Sequence, residues 1–413
     1  MSDELRSTRL SGADVASFFK KYMMLIALMA VAVFFNFATD GRALYAQNIT
    51  NLIAQNAYVF VLATGMLLCI LTGGNIDLAV GSVVCFAGGV GAVMMDKNIP
   101  WPAAVLIMLV MGLLIGMWQG FWIAFVKVPP FIATLAGMLA FRGLSNVVMG
   151  GYAYSVTNTT FLNIFGGGAD CYIPDILAGV GPEMKAGDGT VLNKFCLVVG
   201  ILFAIGIVVY TILHRAYLRK HDYKVPALVS TIIKTAIICV AVVWLFYKLS
   251  AYKGIPTALI WIGLVLGLFA YITTKTTLGR NLYAVGGNEK ATRLSGINTK
   301  MVMFKAYTLM GLLAGFAGVL NTARFVGAQP TYGMGYEMDA IAACFIGGAS
   351  AYGGTGSIGG VIIGALMMGV INQGMDIMGT SSNYKLVVKG LVLLLAVFFD
   401  VIMKMRKKGG VKA

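Results

Sequence analysis

AAVLIMLVMGLLIGMWQGFWIAFV, residues 103–126, decides the class of fold to which this chain belongs. The run contains no charged residue, and it is longer than the roughly 20 apolar residues that an α-helix needs to cross a bilayer. Within it Gly112, Gly116 and Gly120 recur at every fourth position. Small residues at this spacing let two helices approach closely in a membrane. The run therefore predicts a membrane-spanning helix whose glycine face packs on another helix.

The composition of the whole chain agrees with this segment. Of the 413 residues, 59% are hydrophobic and 11% are charged, and the mean hydropathy is +0.85. Soluble domains are about 25% charged, so an ordinary soluble enzyme is excluded. The composition predicts an all-α polytopic membrane protein of about 10–12 transmembrane helices, with residues 1–413 as a single transmembrane domain in the lipid bilayer. The net charge of +15 lies in polar loops, where topology and anionic lipid explain it better than nucleic acid.

Other apolar segments of the chain are also candidates for spans. Together with 103–126 they are 22–39, 52–71, 78–95, 131–149, 195–213, 225–247, 256–274, 301–321, 340–350, 357–375 and 386–403. Some are too short or too glycine-rich to count with certainty. The region 340–375 in particular is either two spans or one span with a re-entrant segment.

Charged residues orient these spans. Basic residues are concentrated near the N-terminus, in a loop at 214–224, in a segment at 275–300 and in the C-terminal tail. By the positive-inside rule all four regions are cytoplasmic, whereas the acidic loop at 151–194 fits the periplasmic side. Both termini are therefore predicted to be cytoplasmic, and the number of spans is even, ten or twelve.

Common catalytic motifs are absent from the sequence. There is no GxxxxGK[ST] phosphate loop, no HExxH and no GxSxG, and the only two histidines share the basic loop. The six cysteines form no CxxC pair and, apart from Cys171, lie in apolar stretches, so they read as small core residues. The sequence thus predicts neither a metal site nor a cofactor, and it does not predict an enzyme.

Two glycine-rich places interrupt the apolar pattern. One is residues 72–77, and the other is 333–339 together with the pair at 347–348. Each puts a carboxylate, Asp77 or Asp339, at the predicted N-terminus of a half-helix, where the helix dipole favours a negative charge. Corresponding breaks in two halves of a transporter point to its pathway. A short similarity between GAVMM (91–95) and GALMM (364–368) either reflects an internal repeat or arises by chance.

Polar residues in or beside the spans are candidates for a translocation pathway. Ionisable groups within a membrane are costly and commonly functional. Amides and aromatic rings suit an uncharged, hydroxyl-rich solute, although hydrogen bonding between helices is an equally good explanation for any one of them. We expect Lys385 and Lys389 to lie at the membrane interface. The predicted pathway residues are Asn75, Asp77, Phe131, Arg142, Asn146 and Asp339.

The segment GRNLYAVGGNEKATRLSGIN, residues 279–298, contains a helix of barely two turns. Asn288 and Glu289 give a helix-start signal, and Gly296 ends the helix. Glu289 and Arg293 are spaced i,i+4, while Ala291 and Leu294 share another face. An isolated helix this short is unstable in water, so it either docks on a partner surface or is an ordinary solvated connector.

Four motifs in the same order carry a family resemblance. GRNLYAVGGNEKATRLSGIN, together with LTGGNIDLAVGS (71–82), PPFIATLAGMLAFRG (129–143) and GYEMDAIAACFIGGAS (335–350), resembles the permease of bacterial ABC importers for monosaccharides such as ribose, xylose and galactose. The resemblance implies about ten helices in each of two permease chains, which form a homodimer in the inner membrane. It also implies a separate cytoplasmic ATPase subunit and a periplasmic sugar-binding protein. The stretch 195–250 adds a helix pair similar to that of the longer xylose permeases, which favours twelve helices.

The resemblance also implies roles for residues in the short helix. The family has a coupling loop with a Glu-Ala-Ala…Gly pattern that docks in a cleft of the ATPase. In this chain that pattern falls on Glu289, Ala291 and Gly296, with Lys290 at the position that is usually Ala. Asn288 and Arg293 belong to the same predicted coupling surface. The implied mechanism is alternating access, driven by ATP on the other subunit.

Other functions compete with this interpretation. An ABC permease for a nucleoside, an autoinducer or a branched-chain amino acid has the same general plan. A secondary sugar transporter would use Asp77 or Asp339 as a proton site. A membrane enzyme is disfavoured by the absence of a catalytic constellation.

Overall fold

The computed structural model describes residues 12–180, 182–186, 189–223, 225 and 228–409. The described chain is built almost wholly from α-helices, which confirms the predicted all-α class. The helices are α1 (Gly12–Ala38), α2 (Ala46–Gln55), α3 (Ala57–Leu71), α4 (Val80–Asp96), α5 (Trp101–Phe121), α6 (Pro130–Met149), α7 (Thr159–Phe165), α8 (Lys194–Lys220), α9 (Leu228–Ser250), α10 (Thr257–Lys275), α11 (Thr277–Gly287), α12 (Glu289–Leu294), α13 (Thr299–Arg324), α14 (Tyr336–Ile346), α15 (Ile358–Ile377) and α16 (Ser382–Gly409). A π-helical segment, Trp122–Val126, extends α5, and β1 (Tyr154–Ser155) pairs antiparallel with β2 (Gly327–Ala328).

Among the described residues, seven helices are long and apolar enough to cross a membrane. They are α5 with its π-helical extension, α6, α8, α9, α10, α13 and α15. The pair α2 and α3, bent by 42°, provides an eighth span if the two are taken together. Shorter apolar helices occur at Met23–Ala38 and Val80–Asp96. These helices confirm a polytopic membrane protein.

The region 340–375 contains one short helix and one long helix. α14 has 11 residues, so it rises only about 16 Å and cannot by itself cross a hydrocarbon core about 30 Å thick. After a loop at 347–357, α15 has 20 residues and is long enough to span. The region therefore contains a half-length helix followed by a helix that is long enough to span.

Glycine faces bring the central helices into backbone contact. A Cβ atom on Gly112 of α5 would collide with the carbonyl oxygen of Gly311 in α13 and would lie 2.8 Å from the Cα atom of Gly315. A Cβ atom on Gly116 would lie 2.9 Å from the Cα atom of Gly311. α13 is therefore a central helix against which α5 packs closely, and the predicted packing role of this glycine face is confirmed.

The two predicted interruptions meet inside the protein. After α3 ends at Leu71 the chain is non-helical until α4 begins at Val80, and a second non-helical stretch precedes α14. Gly81 and Gly333 touch through their backbones, since a Cβ atom on either residue would collide with the carbonyl oxygen of the other. The starts of α4 and α14 thus lie against each other.

The helix pair α8–α9 lies at the periphery. Only 17% of the α8 span and 6% of the α9 span are buried within the chain, whereas 67% of the α13 span is. The two ends of the pair meet, because the Asn193 amide donates to the Ser250 carbonyl at 3.1 Å and the Ser250 hydroxyl donates to the Asn193 carbonyl at 3.0 Å. The predicted helix pair in 195–250 is therefore present, and its first and last residues lie next to each other where the pair joins the other helices.

The connections at one end of the helices form what we call the loop pole, residues 150–193 and 251–256. A β-bridge between Tyr172 and Pro256 joins these two segments. The Trp261 side chain donates a hydrogen bond of 2.9 Å to a backbone carbonyl in the longer segment. The described residues of the loop pole are therefore tied to the start of α10.

The opposite end, which we call the basic pole, consists of residues 127–129 and 276–300. Lys127 and Glu289 join these two segments by an ion pair of 3.8 Å. α10 runs from residues 251–256 of the loop pole to residues 276–300 of the basic pole. α5 begins at Trp101, whose ring centroid lies 6.3 Å from that of Phe165 in the loop pole, and its π-helical extension ends at the basic pole. The two poles therefore lie at opposite ends of these helices.

Candidate functional site

The segment at 279–298 forms two helices. α12 is the predicted short helix: the Asn288 side chain caps it by accepting a hydrogen bond of 3.0 Å from the Ala291 amide. Gly296 has a left-handed backbone with φ of 84°, which an L side chain rarely adopts, and this ends the helix as predicted. α11 was missed, although the Thr276 cap and the spacing of Leu282 and Val285 are signals for it.

α12 presents nearly all of its surface outward. Thr292 is its only buried residue, and the Thr292 hydroxyl lies 2.8 Å from both the Ala284 and the Asn288 carbonyl oxygens. Leu294 is 86% exposed. All five predicted coupling residues are exposed on this surface, namely Asn288, Glu289, Ala291, Arg293 and Gly296. Thr292 thus fixes the inner face of α12 to the end of α11, and the outer face of α12 is exposed.

Glu289 ties α12 to neighbouring elements. Its carboxylate accepts a hydrogen bond of 3.2 Å from the Thr299 hydroxyl at the start of α13. Within the described part of the chain, its ion-pair partner is Lys127 in the α5–α6 turn rather than Arg293 at the i+4 position. Because both charged side chains are about half exposed, the pair adds little stability. Its main effect is to place the α5–α6 turn beside α12.

Two of the predicted pathway residues lie in the first interruption. The Asn75 amide donates to the Thr72 hydroxyl at 3.1 Å, which is a local turn contact. Asp77 is 2% exposed, and its carboxylate accepts a hydrogen bond of 2.9 Å from the Ala79 amide just before α4. Asp77 therefore lies just before the start of α4, a helix of 17 residues.

Three other predicted pathway residues lie on α6. The Arg142 guanidinium donates to the carbonyl oxygens of Pro330 (3.1 Å) and Tyr332 (2.6 Å), so α6 holds the stretch before α14. Asn146, one turn further, is exposed and bonds to the Arg142 carbonyl at 3.1 Å. Phe131, near the start of the helix, is 62% exposed. The structure thus groups these three residues on one helix.

The sixth residue, Asp339, is part of a buried ion pair. The Asp339 carboxylate has no exposed surface, and the Lys389 ammonium lies 2.8 Å from its Oδ1 atom. The Tyr58 hydroxyl donates to Oδ2 at 2.7 Å. The expectation that Lys389 lies at the membrane interface is therefore wrong. Its side chain is 16% exposed and turns inward to the carboxylate on α14, 50 residues away in sequence. Lys385 pairs with Asp376 of α15.

Two stacked tyrosines lie beside this ion pair. The rings of Tyr58 and Tyr336 stack with their centroids 3.7 Å apart, and the Tyr336 hydroxyl donates to Asn321 of α13 at 2.7 Å. The cluster therefore connects α3, α13, α14 and α16. Elsewhere in the part of the chain that the structure describes, no group of histidine, cysteine and acidic side chains could hold a metal ion.

Comparison with known proteins agrees with this arrangement. A family model described as the permease component of a branched-chain amino acid transport system matches residues 48–397. The chain belongs to this permease family. The protein is therefore a multi-pass permease of the inner membrane, as its apolar helices also indicate.

Relatives of this permease are sugar permeases by name. It is 36% identical over 387 residues to the xylose transport system permease protein XylH of Escherichia coli, covering 93% of this chain and 92% of that protein. Identity to the XylH protein of Haemophilus influenzae is 37% over 380 residues, covering 92% and 95%. Identity to the ribose import permease protein RbsC of Escherichia coli is 33% over 353 residues, covering 86% and 85%. No solved structure matches the chain.

Proposed function

We propose that this permease is the membrane-spanning subunit of an ATP-driven ABC importer that carries a monosaccharide, with xylose as the first candidate. The xylose and ribose permeases among its relatives support the substrate class. The observation that carries the proposal is α12, a capped helix whose outer face is free for a partner at the basic pole.

The ATPase is a separate cytoplasmic subunit that docks on α12. The sequence has no phosphate loop, so the energy for transport comes from another chain. Ala291 and the exposed Leu294 provide a small apolar contact, and Lys290 and Arg293 surround it with positive charge. A central apolar anchor within a polar rim is typical of protein interfaces. The six-residue length of α12 limits this contact to one cleft on the partner.

The basic pole is cytoplasmic and the loop pole is periplasmic. Lys275, Arg280 and Lys300 accompany the basic residues of α12, which agrees with the positive-inside rule. Alternation then gives twelve passes, formed by α1, the α2–α3 pair, α4, α5, α6, α8, α9, α10, α13, α14 with the non-helical stretch before it, α15 and α16. Both ends of the chain follow on the cytoplasmic side. A periplasmic sugar-binding protein docks on the loop pole.

A second copy of the permease packs against the exposed face of α6. Ile132, Leu139 and Val147 of this helix are 56%, 66% and 76% exposed and form an apolar stripe. Arg142 and Asn146 lie beside this stripe on the same helix. Their polar groups are therefore close to the proposed boundary between the two subunits. The sugar passes along this boundary by alternating access. Phe131, Asn75, Asp77 and Asp339 remain predicted pathway residues on this proposal.

Reconstitution tests the proposal. The permease is placed in proteoliposomes with its ATPase and its binding protein, and uptake of xylose, ribose, a nucleoside and leucine is compared with and without ATP. We expect ATP-dependent uptake of a monosaccharide. Uptake by the permease alone under a pH gradient would instead establish a secondary transporter, and ATP-dependent uptake of leucine or the nucleoside alone would overturn the substrate class.

A matched pair of variants tests the docking surface. Leu294→Ser removes the apolar side chain of α12, and we expect about tenfold less ATPase to copurify with the permease. Ile176→Ser is the control, because Ile176 is 70% exposed but lies at the loop pole. Equal recovery of ATPase with both variants would show that α12 is not the docking helix.

A further inference from the structure

α11, the helix between α10 and α12, lies in backbone contact with two glycine-rich connections, the one that begins after Leu71 and leads to α4 and the one at residues 351–356 that leads to α15. A Cβ atom on Gly286 would collide with the Leu71 carbonyl oxygen at the end of α3 and would lie 2.9 Å from the Cα atom of Gly354. Gly354 itself donates its amide to the Leu71 carbonyl at 3.1 Å. Three chain segments that are far apart in sequence therefore meet at one point with no side chain between them.

The two connections, residues 72–74 and 351–356, also touch each other next to α11. A Cβ atom on Gly353 would lie 2.5 Å from the Cα atom of Gly73, and one on Gly74 would collide with the Ala351 carbonyl. The residues at 72–74 lead to α4 and those at 351–356 lead to α15, so a displacement here reaches both helices at once. Close-packed backbone has little room to absorb a displacement, so it transmits it.

A side-chain hydrogen bond fastens the same contact. The Tyr283 hydroxyl, one turn before Gly286 on α11, donates to the Gly356 carbonyl at 2.9 Å. Burial raises the pKa of the Tyr283 phenol, so this hydroxyl stays protonated to a higher pH than a free phenol does. Leu282 and Val285 are buried on the same helix, so α11 cannot easily slide or rotate away.

We infer that Tyr283 and Gly286 are the positioning residues that pass the motion of the ATPase-docking helix to α4 and α15 through residues 72–74 and 351–356. This inference rests on the proposed function and deepens it. α12 binds the partner, and α11 turns its movement into movement of the two helices that follow the glycine-rich connections. The start of α4 lies against Gly333, just before α14, and α15 packs on α14. A displacement of α4 and α15 therefore also reaches α14.

Two substitutions test the inference, each with a matched control. Tyr283→Phe removes only the hydroxyl, and Tyr271→Phe does the same at a tyrosine that is 63% exposed on α10. Gly286→Ala adds a methyl group inside the contact, and Gly287→Ala adds one at the next position of the same helix, where nothing lies within 4 Å. The complete reconstituted importer is assayed for copurified ATPase, ATP hydrolysis and sugar transported per ATP.

We expect Tyr283→Phe to keep its ATPase and to transport about threefold to tenfold less sugar per ATP, which is the range for one lost hydrogen bond. Gly286→Ala should lower the ratio at least as far, whereas both controls should match the wild type. An unchanged ratio in Tyr283→Phe would overturn the inference even if Gly286→Ala failed to assemble. Wild-type uptake that does not require ATP would instead overturn the proposed function.

Discussion

Lys389 of α16 neutralises Asp339 of α14 inside the protein, with 2.8 Å between the ammonium and the nearer carboxylate oxygen. The carboxylate has no exposed surface, and Tyr58 provides its other hydrogen bond. An ion in such a place is tolerated only with a partner, because desolvation of an unpaired charge is costly. The pair therefore determines where α16 lies against α14.

Removing one member of this pair should destabilise the permease more than replacing both. Lys389→Met leaves a buried carboxylate and should lower the free energy of unfolding by about 3–5 kcal/mol. Adding Asp339→Asn should recover much of that loss, because the remaining amide is neutral. Thermal unfolding in detergent measures both variants. If the double variant melted no higher than Lys389→Met, the buried charge would not be the main cause of the lost stability.

The contact between α5 and α13 should not tolerate a methyl group. Gly112→Ala forces backbones apart where a Cβ atom would lie 2.8 Å from Gly315, and we expect a loss of about 1–3 kcal/mol. Gly263→Ala in α10 is the control, because nothing lies within 4 Å there and alanine favours a helix. Equal melting temperatures for the two variants would show that the glycine face is not closely packed.

Charge exchange should separate the two roles of Glu289. Glu289→Lys should reduce ATP-driven uptake if the carboxylate contacts the ATPase, but it also places like charges beside Lys127. Lys127→Glu breaks the same ion pair and should leave uptake nearly unchanged, because a half-exposed pair contributes only about 0–1 kcal/mol. The exchanged double variant restores the pair without restoring the carboxylate on α12. Recovery of uptake in that variant would assign Glu289 to the internal pair alone.

The Cys171 thiol at the loop pole should react slowly with alkylating reagents. Its side chain is 3% exposed, and burial raises its pKa, so at any pH below the raised value the reactive thiolate is scarcer than usual. The rate should rise only at alkaline pH. Ile176→Cys adds an exposed thiol nearby as an internal reference for mass spectrometry. Comparable labelling of both thiols at neutral pH would contradict the burial of Cys171.

Much of the architecture follows from the sequence because the bilayer requires it. Apolar runs of sufficient length predict the spanning helices, and glycines at every fourth residue predict that α5 packs closely on another helix, although only the structure shows that this helix is α13. The cap at Asn288 and the left-handed Gly296 placed α12 correctly, because both signals are local. The half-length α14 could not be separated from a span, because its glycine-rich surroundings are equally compatible with either.

The candidate site was only partly predictable for a different reason. The five residues of the coupling surface lie within nine positions of the chain, so the pattern of one short helix locates them. Asp339 and Lys389 belong to different helices, and no local rule reports that one lysine turns inward while others remain at an interface. The contacts of Tyr283 and Gly286 likewise depend on two glycine-rich loops that are far apart in sequence and meet in the fold. The spacing of residues within either loop does not predict that meeting.

The hydrogen bonds between Asn193 and Ser250 make the α8–α9 pair a detachable module. Residues 194–250 leave and return at neighbouring backbone positions, so their excision would open no gap that a long linker had to bridge. Because this hairpin buries so little of itself against the other described helices, few contacts within the chain would be lost with it. We therefore expect a version of this permease that lacks residues 194–250 to keep the packing of its other helices.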